Sequence, residues 1–222
     1  MKAFGKTVGK TVVFCLVMML MCSFVYPLAL TGVSQLTMKA KADGSKVDKD
    51  GNLTTDTKEA VGSALIGQDF TEDCYFQGRV SAVNYNTYTE EQKESGEYAG
   101  VASGSYNYAN SNPELKERME KDLEQFLKEH PGVKAEDVPA ELLTASGSGL
   151  DPHISPESAE VQIPTVAKNS GLSEEEVKKI VEENTEKKTL GVFGEERVNV
   201  LGCNLDIAAA MGRKKRNRQR EN

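Results

Sequence analysis

An uncharged run of twenty residues near the N-terminus, residues 11–30, places the strongest constraint on how this chain folds. Val, Leu, Met and Phe dominate it, and twenty helical residues cover about 30 Å, the thickness of a hydrocarbon core. A cleaved signal peptide is the alternative, but its apolar region is about 7–15 residues long with a small-residue cleavage site close behind. Here the Ala40-Lys41-Ala42 triplet lies ten positions beyond the run. The run therefore predicts an uncleaved transmembrane helix.

The charges that flank this helix favour one orientation. Residues 1–10 carry Lys2, Lys6 and Lys10, whereas the next lysines begin only at Lys39, inside a polar connector of residues 31–60. Positive charges close to a span are retained in the cytoplasm. We therefore expect a cytoplasmic head, a single pass through the cell membrane and an extracytoplasmic C-terminal domain.

The C-terminal end is basic, whereas the rest of the chain is acidic. The formal net charge is −7 although residues 213–220 contain six Lys and Arg. An acidic body argues against nucleic acid as a partner. Residues 209–222 are predicted to form a disordered tail, which is solvated or drawn to anionic lipid headgroups.

The most distinctive segment is ASGSGLDPHISP, residues 145–156. Gly147 and Gly149 permit backbone angles that other residues reach only with strain, Asp-Pro indicates a turn, and Ser-Pro is typical of a helix N-terminus. So much turn chemistry with so little apolar content predicts a contact surface. The candidate interface residues are Ser146, Ser148, Asp151, His153 and Ser155.

Catalysis and metal binding are not predicted. Asp-Pro-His leaves no room for Asp151 to orient the imidazole of His153, and the serines lack the strand–turn–helix context of a hydrolase nucleophile. A calcium-loop resemblance at residues 48–59 has Leu53 where Gly is required, so Asp50-Gly51 predicts a hairpin turn instead. The Cys spacing predicts no zinc site. Cofactor-binding residues stay unknown, and pairing of the two cysteines outside the apolar run, Cys74 and Cys203, stays open.

The domain itself, residues 61–208, is predicted to be α+β, with about three helices and a small sheet. One helix starts after Asn112 and ends before Pro131, a second begins at Pro156 and is interrupted at Pro164, and a third has Ser173 as its N-cap. Alternation over residues 197–207 predicts a bulged strand. Residues 84–112 hold five tyrosines among polar residues and form a surface loop or a partner-binding segment.

Three segments carry a resemblance to a known family: PAELLTASGSGLDPHISPESAEVQI at residues 139–163, RVNVL at 197–201 and GSALIGQ at 62–68. They closely resemble the C subunit of the bacterial Kdp potassium-transporting ATPase, and the resemblance spans about residues 6–207. It implies the same orientation in the membrane. It also implies a channel-like potassium-translocating subunit and a P-type ATPase subunit as partners.

The resemblance further implies a non-catalytic accessory subunit of a high-affinity potassium uptake complex. Such subunits are described as catalytic chaperones that raise the ATP affinity of the P-type subunit. The resemblance therefore implies that ATP binds to that subunit and that this chain has no cofactor of its own. A domain outside the membrane cannot touch a nucleotide inside it, so any such effect must pass through the spans. We therefore expect assembly and stabilisation of the complex as the main role. A stand-alone membrane-anchored binding module is the alternative.

Overall fold

The computed structural model describes residues 2–96 and 101–221, and in it the chain begins with one long helix. Its two parts, α1 (Lys2–Leu20) and α2 (Tyr26–Thr37), are joined by a wider π-helical turn, Met21–Val25. The turn lies directly before Pro27, which has no N–H to donate and whose ring crowds the preceding turn. The apolar stretch Phe4–Thr37 is long enough to cross a membrane, and none of its most apolar part is buried inside the described protein. It encloses the predicted span and extends beyond both of its ends.

The polar connector is ordered. After the short helix α3 (Lys39–Ala42), strand β1 (Lys46–Asp48) pairs antiparallel with β2 (Ala60–Ser63). The turn predicted at Asp50-Gly51 is present, because the Asp48 carboxylate accepts hydrogen bonds from the N–H groups of Asp50 and Asn52, both at 2.9 Å. That carboxylate stabilises the turn.

The domain contains the three predicted helices, the second of them in two parts, and two helices that were not predicted. They are α4 (Glu90–Glu94), α5 (Pro113–Glu129), α6 (Pro156–Glu160), α7 (Ile163–Ser170), α8 (Glu174–Glu183) and α9 (Val200–Glu221). Asn112 caps α5, and Ser173 with Glu176 forms the predicted capping box of α8. The predicted interruption near Pro164 separates α6 from α7. These three predicted helices are confirmed.

The apolar residues of α5 recur at helical spacing, which predicts one buried face, but much of that face is not fully buried. Phe126 is buried, whereas Leu115, Met119 and Leu123 line an open groove of about 350 Å³. The periodicity identified the correct face, but the domain covers only the C-terminal end of that face.

Three short strands form the second sheet, in the order β3 (His153–Ile154), β5 (Arg197–Asn199) and β4 (Thr185–Glu186), with both pairs antiparallel. The strand predicted over residues 197–207 is therefore wrong beyond Asn199. The side-chain oxygen of Asn199 accepts from the N–H of Gly202, a helix-start contact. The buried positions that follow have helical spacing, i, i+3, i+4 and i+7: Val200, Cys203, Asn204 and Ile207.

The predicted disorder of residues 209–222 also differs from the structure, because α9 continues through the tail to Glu221. Extending a helix adds one hydrogen bond per residue without a new nucleation cost, and Lys, Arg and Gln are good helix formers. A stable helix anchored in the core can therefore continue into a charged segment.

The core lies where α6, α7 and α8 pack against β5 and the first turns of α9. Its fully buried apolar side chains include Phe76, Ile154, Val166, Val177, Val198 and Ile207. One tyrosine of the Tyr-rich loop, Tyr85, is also buried and donates its hydroxyl to the carbonyl of Arg79. That loop therefore contributes more to the interior than its composition predicts.

Cys74 and Cys203, whose pairing the sequence left open, do not form a disulfide. Both thiols are free. Burial raises the pKa of the Cys203 thiol far above its ordinary value, so this cysteine packs as a small apolar residue.

Candidate functional site

The contact stretch, residues 145–156, follows a backbone path that is held from several sides. Five hydrogen bonds fix it: Ser146 N to Val80 O, Gly104 N to Ser148 O, Ser81 Oγ to Gly149 O, Gly67 N to Leu150 O, and Val200 N to Pro152 O. Their lengths lie between 2.6 and 3.1 Å. Since the partners come from regions far apart in sequence, the stretch keeps one conformation only when the whole domain is folded.

Gly149 is the tightest point of this path. Its φ is +67°, and a Cβ there would lie 2.7 Å from Val83 Cγ2 and 2.8 Å from the carbonyl oxygen of Gly104. A glycine is therefore required for both backbone conformation and space. Gly147, two residues earlier, has open space around it.

The first two predicted serines shape the backbone. Ser146 is buried, and its hydroxyl oxygen accepts from the N–H of Gly149 at 2.8 Å. Ser148 is exposed, and its hydroxyl oxygen accepts from the N–H of Leu150 at 3.1 Å. Both serines form local turn bonds.

Asp151 forms an ion pair that the sequence did not indicate. Its carboxylate lies 3.2 Å from Arg79 Nη1 and accepts from the N–H of His153 at 3.0 Å. The side chain of His153 is the main cause that lowers the pKa of Asp151, and its effect is larger than the opposing effect of burial. The backbone N–H of His153 and the guanidinium of Arg79 lower the pKa further. The aspartate is therefore held ionised in a half-buried position.

His153 lies on β3, opposite Asn199 of β5, with a fifth of its side chain exposed. Its Nδ1 is 3.7 Å from an Asp151 oxygen, and its Nε2 is 4.0 Å from a Glu186 oxygen. The Asp151-Pro152 turn brings the two side chains near each other, but 3.7 Å is longer than a hydrogen bond. The buried Nε2 forms no hydrogen bond within the described part of the chain.

Ser155 caps α6, as predicted, and is tied to a distant glutamate. Its hydroxyl oxygen accepts from the N–H of Ser158, and its own N–H donates to Glu141 at 2.6 Å. Burial alone would raise the pKa of Glu141, but the hydrogen bonds from Ser158 and Ser155 outweigh it and lower that pKa. The Ser155 hydroxyl is therefore used as a helix cap, and it also donates to the Ser158 hydroxyl at 3.1 Å.

These side chains line one open cleft of about 650 Å³. Asp151, His153 and Ser155 lie in its wall, whereas Ser146 and Ser148 are outside its lining. The other charged lining residues are Glu141, Glu157, Lys188, Glu195, Glu196 and Arg197. Lys188, Glu195 and Glu196 come from the β4–β5 connection and Arg197 from β5 itself, more than thirty positions after His153. The pairing of β3 with β5 brings them to the cleft.

The cleft is acidic, and its basic groups are paired. Lys188 lies 2.8 Å from Glu195, and Arg197 contacts Glu186. In residues 2–96 and 101–221, no group of three or more His, Cys, Asp or Glu side chains is placed to hold a metal ion. The arrangement suits polar contacts with another surface.

Comparison with known proteins gives consistent results along nearly the whole chain. The model of the family described as "K+-transporting ATPase, c chain" matches residues 8–209. The chain is 54% identical over 212 residues to the potassium-transporting ATPase KdpC subunit of Clostridium kluyveri, covering 96% of this chain and 98% of that protein. It is 52% identical to the subunit of the same name from Clostridioides difficile, covering 93% and 99%, and 46% identical to that of Caldanaerobacter subterraneus, covering 91% and 95%.

Proposed function

This chain belongs to the K+-transporting ATPase c chain family, and from that premise we propose that it assembles and stabilises the potassium-transporting complex of which it is an accessory subunit. Its proposed partners are a channel-like potassium-translocating subunit and a P-type ATPase subunit. The observation that carries this proposal is the contact stretch, where a rigid backbone presents Asp151, His153 and Ser155 in an open cleft. Rigid, pre-ordered surfaces lose little entropy on binding, which suits a docking role.

We propose a non-catalytic role because the cleft contains no activated nucleophile. Asp151 and His153 approach each other, but the Ser155 hydroxyl caps a helix. A histidine and a carboxylate without a free nucleophile do not make a catalytic triad.

A higher ATP affinity of the P-type subunit is the second part of the proposal. The apolar helix Phe4–Thr37 connects through the short helix α3 to the β1–β2 hairpin. An extracytoplasmic domain can act on a cytoplasmic nucleotide site only if it favours one conformation of the complex through the spans. The expected result is a lower KM for ATP when the chain is present, with no nucleotide bound to the chain itself.

Co-purification tests the assembly role. The full-length chain and the other subunits of its ATPase are co-expressed and isolated in mild detergent, and potassium-stimulated ATP hydrolysis is measured with and without the chain. Asp151→Asn and His153→Ala are expected to reduce recovery of the complex by about tenfold, as loss of a central contact does. Asp137→Asn, which removes an exposed carboxylate outside the cleft, is the matched control.

The outcomes separate the two functional hypotheses. Normal recovery of both cleft variants, with thermal unfolding like wild type, would remove the cleft from the interface. If the ATPase assembles and works equally well without the chain, the assembly role is wrong and a membrane-anchored binding module becomes the leading hypothesis.

A further inference from the structure

The connection between β4 and β5 exposes three large apolar side chains at its tip. Residues 187–196, here called the apolar hairpin, place Leu190, Val192 and Phe193 in solvent with 86%, 75% and 65% of their surface exposed. Single exposed apolar residues are common, but three together at the end of one hairpin indicate a contact site.

The hairpin is ordered from its base to its tip. Thr189 and Phe193 exchange two backbone hydrogen bonds of 2.8 and 3.0 Å, and the Gly191 N–H donates to the Lys188 carbonyl. Two cross-strand ion pairs, Lys188–Glu195 and Glu186–Arg197, hold the base. The apolar groups are thus presented in a fixed arrangement and are not folded back onto the core.

Leu190 adds an independent indication. Its φ is +56°, a left-handed conformation that glycine and asparagine adopt with less strain than leucine. Local backbone preference therefore disfavours leucine at this turn, and burial of its side chain, which is 86% exposed, does not compensate. A role outside the folded chain explains why an apolar side chain is placed there.

Charge and area favour a protein partner within an existing complex. The hairpin and its flanking strand residues carry three acidic and three basic side chains, Glu186, Glu195, Glu196, Lys187, Lys188 and Arg197, so no excess positive charge attracts anionic lipid. Three side chains cover much less than the roughly 800 Å² per partner of a stable interface. The hairpin therefore does not support a dimer of this chain alone, but it can add to contacts between proteins already held together.

The hairpin is also continuous with the cleft. Lys188, Glu195 and Glu196 belong to both the hairpin and the cleft lining, together with Asp151 and His153. A buried apolar centre surrounded by a polar rim is the usual arrangement of a protein interface.

We propose that Leu190, Val192 and Phe193 insert into an apolar depression on the extracytoplasmic face of an integral membrane subunit of the same ATPase, with the cleft residues as the polar rim. This inference rests on the proposed function and names the part of the chain that supplies the apolar anchor. The partner is recognised by its chemistry, an apolar concavity bordered by polar groups that complement an acidic rim.

The test uses the full-length chain co-expressed with the other subunits. The double variant Val192→Ser/Phe193→Ser is expected to lower recovery of the chain with the complex by about tenfold, because apolar anchors at interface centres carry most of the binding energy. Leu190→Asn removes an apolar group while suiting the left-handed backbone, so it is expected to weaken recovery without lowering the thermal midpoint of the chain in detergent. Leu53→Ser, at a site 51% exposed between β1 and β2 and outside the hairpin, is the matched control with unchanged recovery.

A photo-crosslinking amino acid in place of Val192 identifies the molecule that contacts the apolar hairpin. This experiment tests the proposal even if the double variant unfolds. An adduct with another ATPase subunit is expected. Adducts only with lipid, adducts with a second copy of this chain, or no adduct would overturn the inference, as would wild-type recovery of the hairpin variants. Failure of the wild-type chain itself to co-purify would refute the proposed function and this inference together, whereas failure confined to the hairpin refutes only the inference.

Discussion

At Gly149 the contact stretch passes so close to its neighbours that a single methyl group would not fit. We predict that Gly149→Ala lowers the free energy of unfolding by at least about 2 kcal/mol, from the left-handed backbone and the contacts with Val83 and Gly104. Gly147→Ala, in open space, is expected to change it by less than about 0.5 kcal/mol. Chemical denaturation of the full-length chain in detergent measures both. Equal stability of the two variants would contradict the packing described for Gly149.

His130 is a buried histidine whose two ring nitrogens have no hydrogen-bond partner in the part of the chain that the structure describes. Its ring packs on Phe126 with centroids 4.1 Å apart. Burial lowers the pKa of His130, and the nearby carboxylates of Glu129 and Asp73 oppose this only in part. The histidine is therefore neutral in the folded protein at neutral pH.

The lowered pKa of His130 predicts acid sensitivity. The unfolded chain takes up this proton near pH 6.5, whereas the folded chain takes it up only at lower pH. Through His130, the free energy of unfolding therefore does not change with pH above about pH 6.5. It decreases as the pH falls below that value, by at most about 1.4 kcal/mol per pH unit. His130→Phe should show a shallower decrease between pH 6.5 and 5 in denaturant titrations. Identical pH profiles would show that His130 does not titrate in this way.

At the scale of elements, two buried amides connect helices to an irregular segment. Asn204 of α9 accepts from the N–H of Phe76 at 2.8 Å and donates to its carbonyl at 2.9 Å. Gln162, between α6 and α7, accepts from the N–H of Gln77 at 2.8 Å. These side chains satisfy backbone groups that have no strand partner, which is how residues without regular structure can enter a core.

Asn204→Leu is predicted to be strongly destabilising although it increases apolar content. It leaves both the N–H and the C=O of Phe76 buried without partners, at about 1–3 kcal/mol each. Asn169→Leu removes the bonds of an exposed amide on α7 to the carbonyls of Thr165 and Asp73, which water can replace, so this variant is expected to stay close to wild type. Thermal unfolding followed by circular dichroism distinguishes the two, and a wild-type midpoint for Asn204→Leu would refute the bridging role.

At the scale of the whole molecule, the chain consists of one apolar helix and one α+β domain, and its orientation in the membrane decides on which side the domain lies. The expected orientation places residues 1–10 in the cytoplasm and the contact stretch on the extracytoplasmic side of the membrane. Cys15 and Cys22 lie within the apolar helix and Cys203 is buried, so Cys74 is the thiol to replace with serine before labelling.

In this Cys74→Ser background, we predict that Asp137→Cys, outside the contact stretch, reacts with a membrane-impermeant maleimide in intact cells and that Lys6→Cys does not. Both positions are exposed on the protein, so any difference reports the side of the membrane. After permeabilisation both should react. Labelling of Lys6→Cys alone in intact cells would reverse the orientation and remove the contact stretch from the outer face.

The sequence by itself determined the features that depend on neighbouring residues. The apolar helix follows from one uncharged run, the caps at Asn112, Ser155 and Ser173 follow from side chains that bond to the next helical turn, and the Asp50-Gly51 turn follows from local backbone preference. These interactions close within a few residues, so no knowledge of the fold is needed to predict them.

Tertiary structure decided what depends on contacts between distant residues. The alternating pattern after Arg197 predicted a strand, but packing against α8 favoured a helix that buries Cys203 and Ile207. The stretch around Asp151 was identifiable from its turn residues, whereas its ion pair with Arg79 and the cleft side chains of the β4–β5 connection were not. Those contacts arise only when β3 pairs with β5, because pairing between strands is set by the shared core and not by the residues next to each strand.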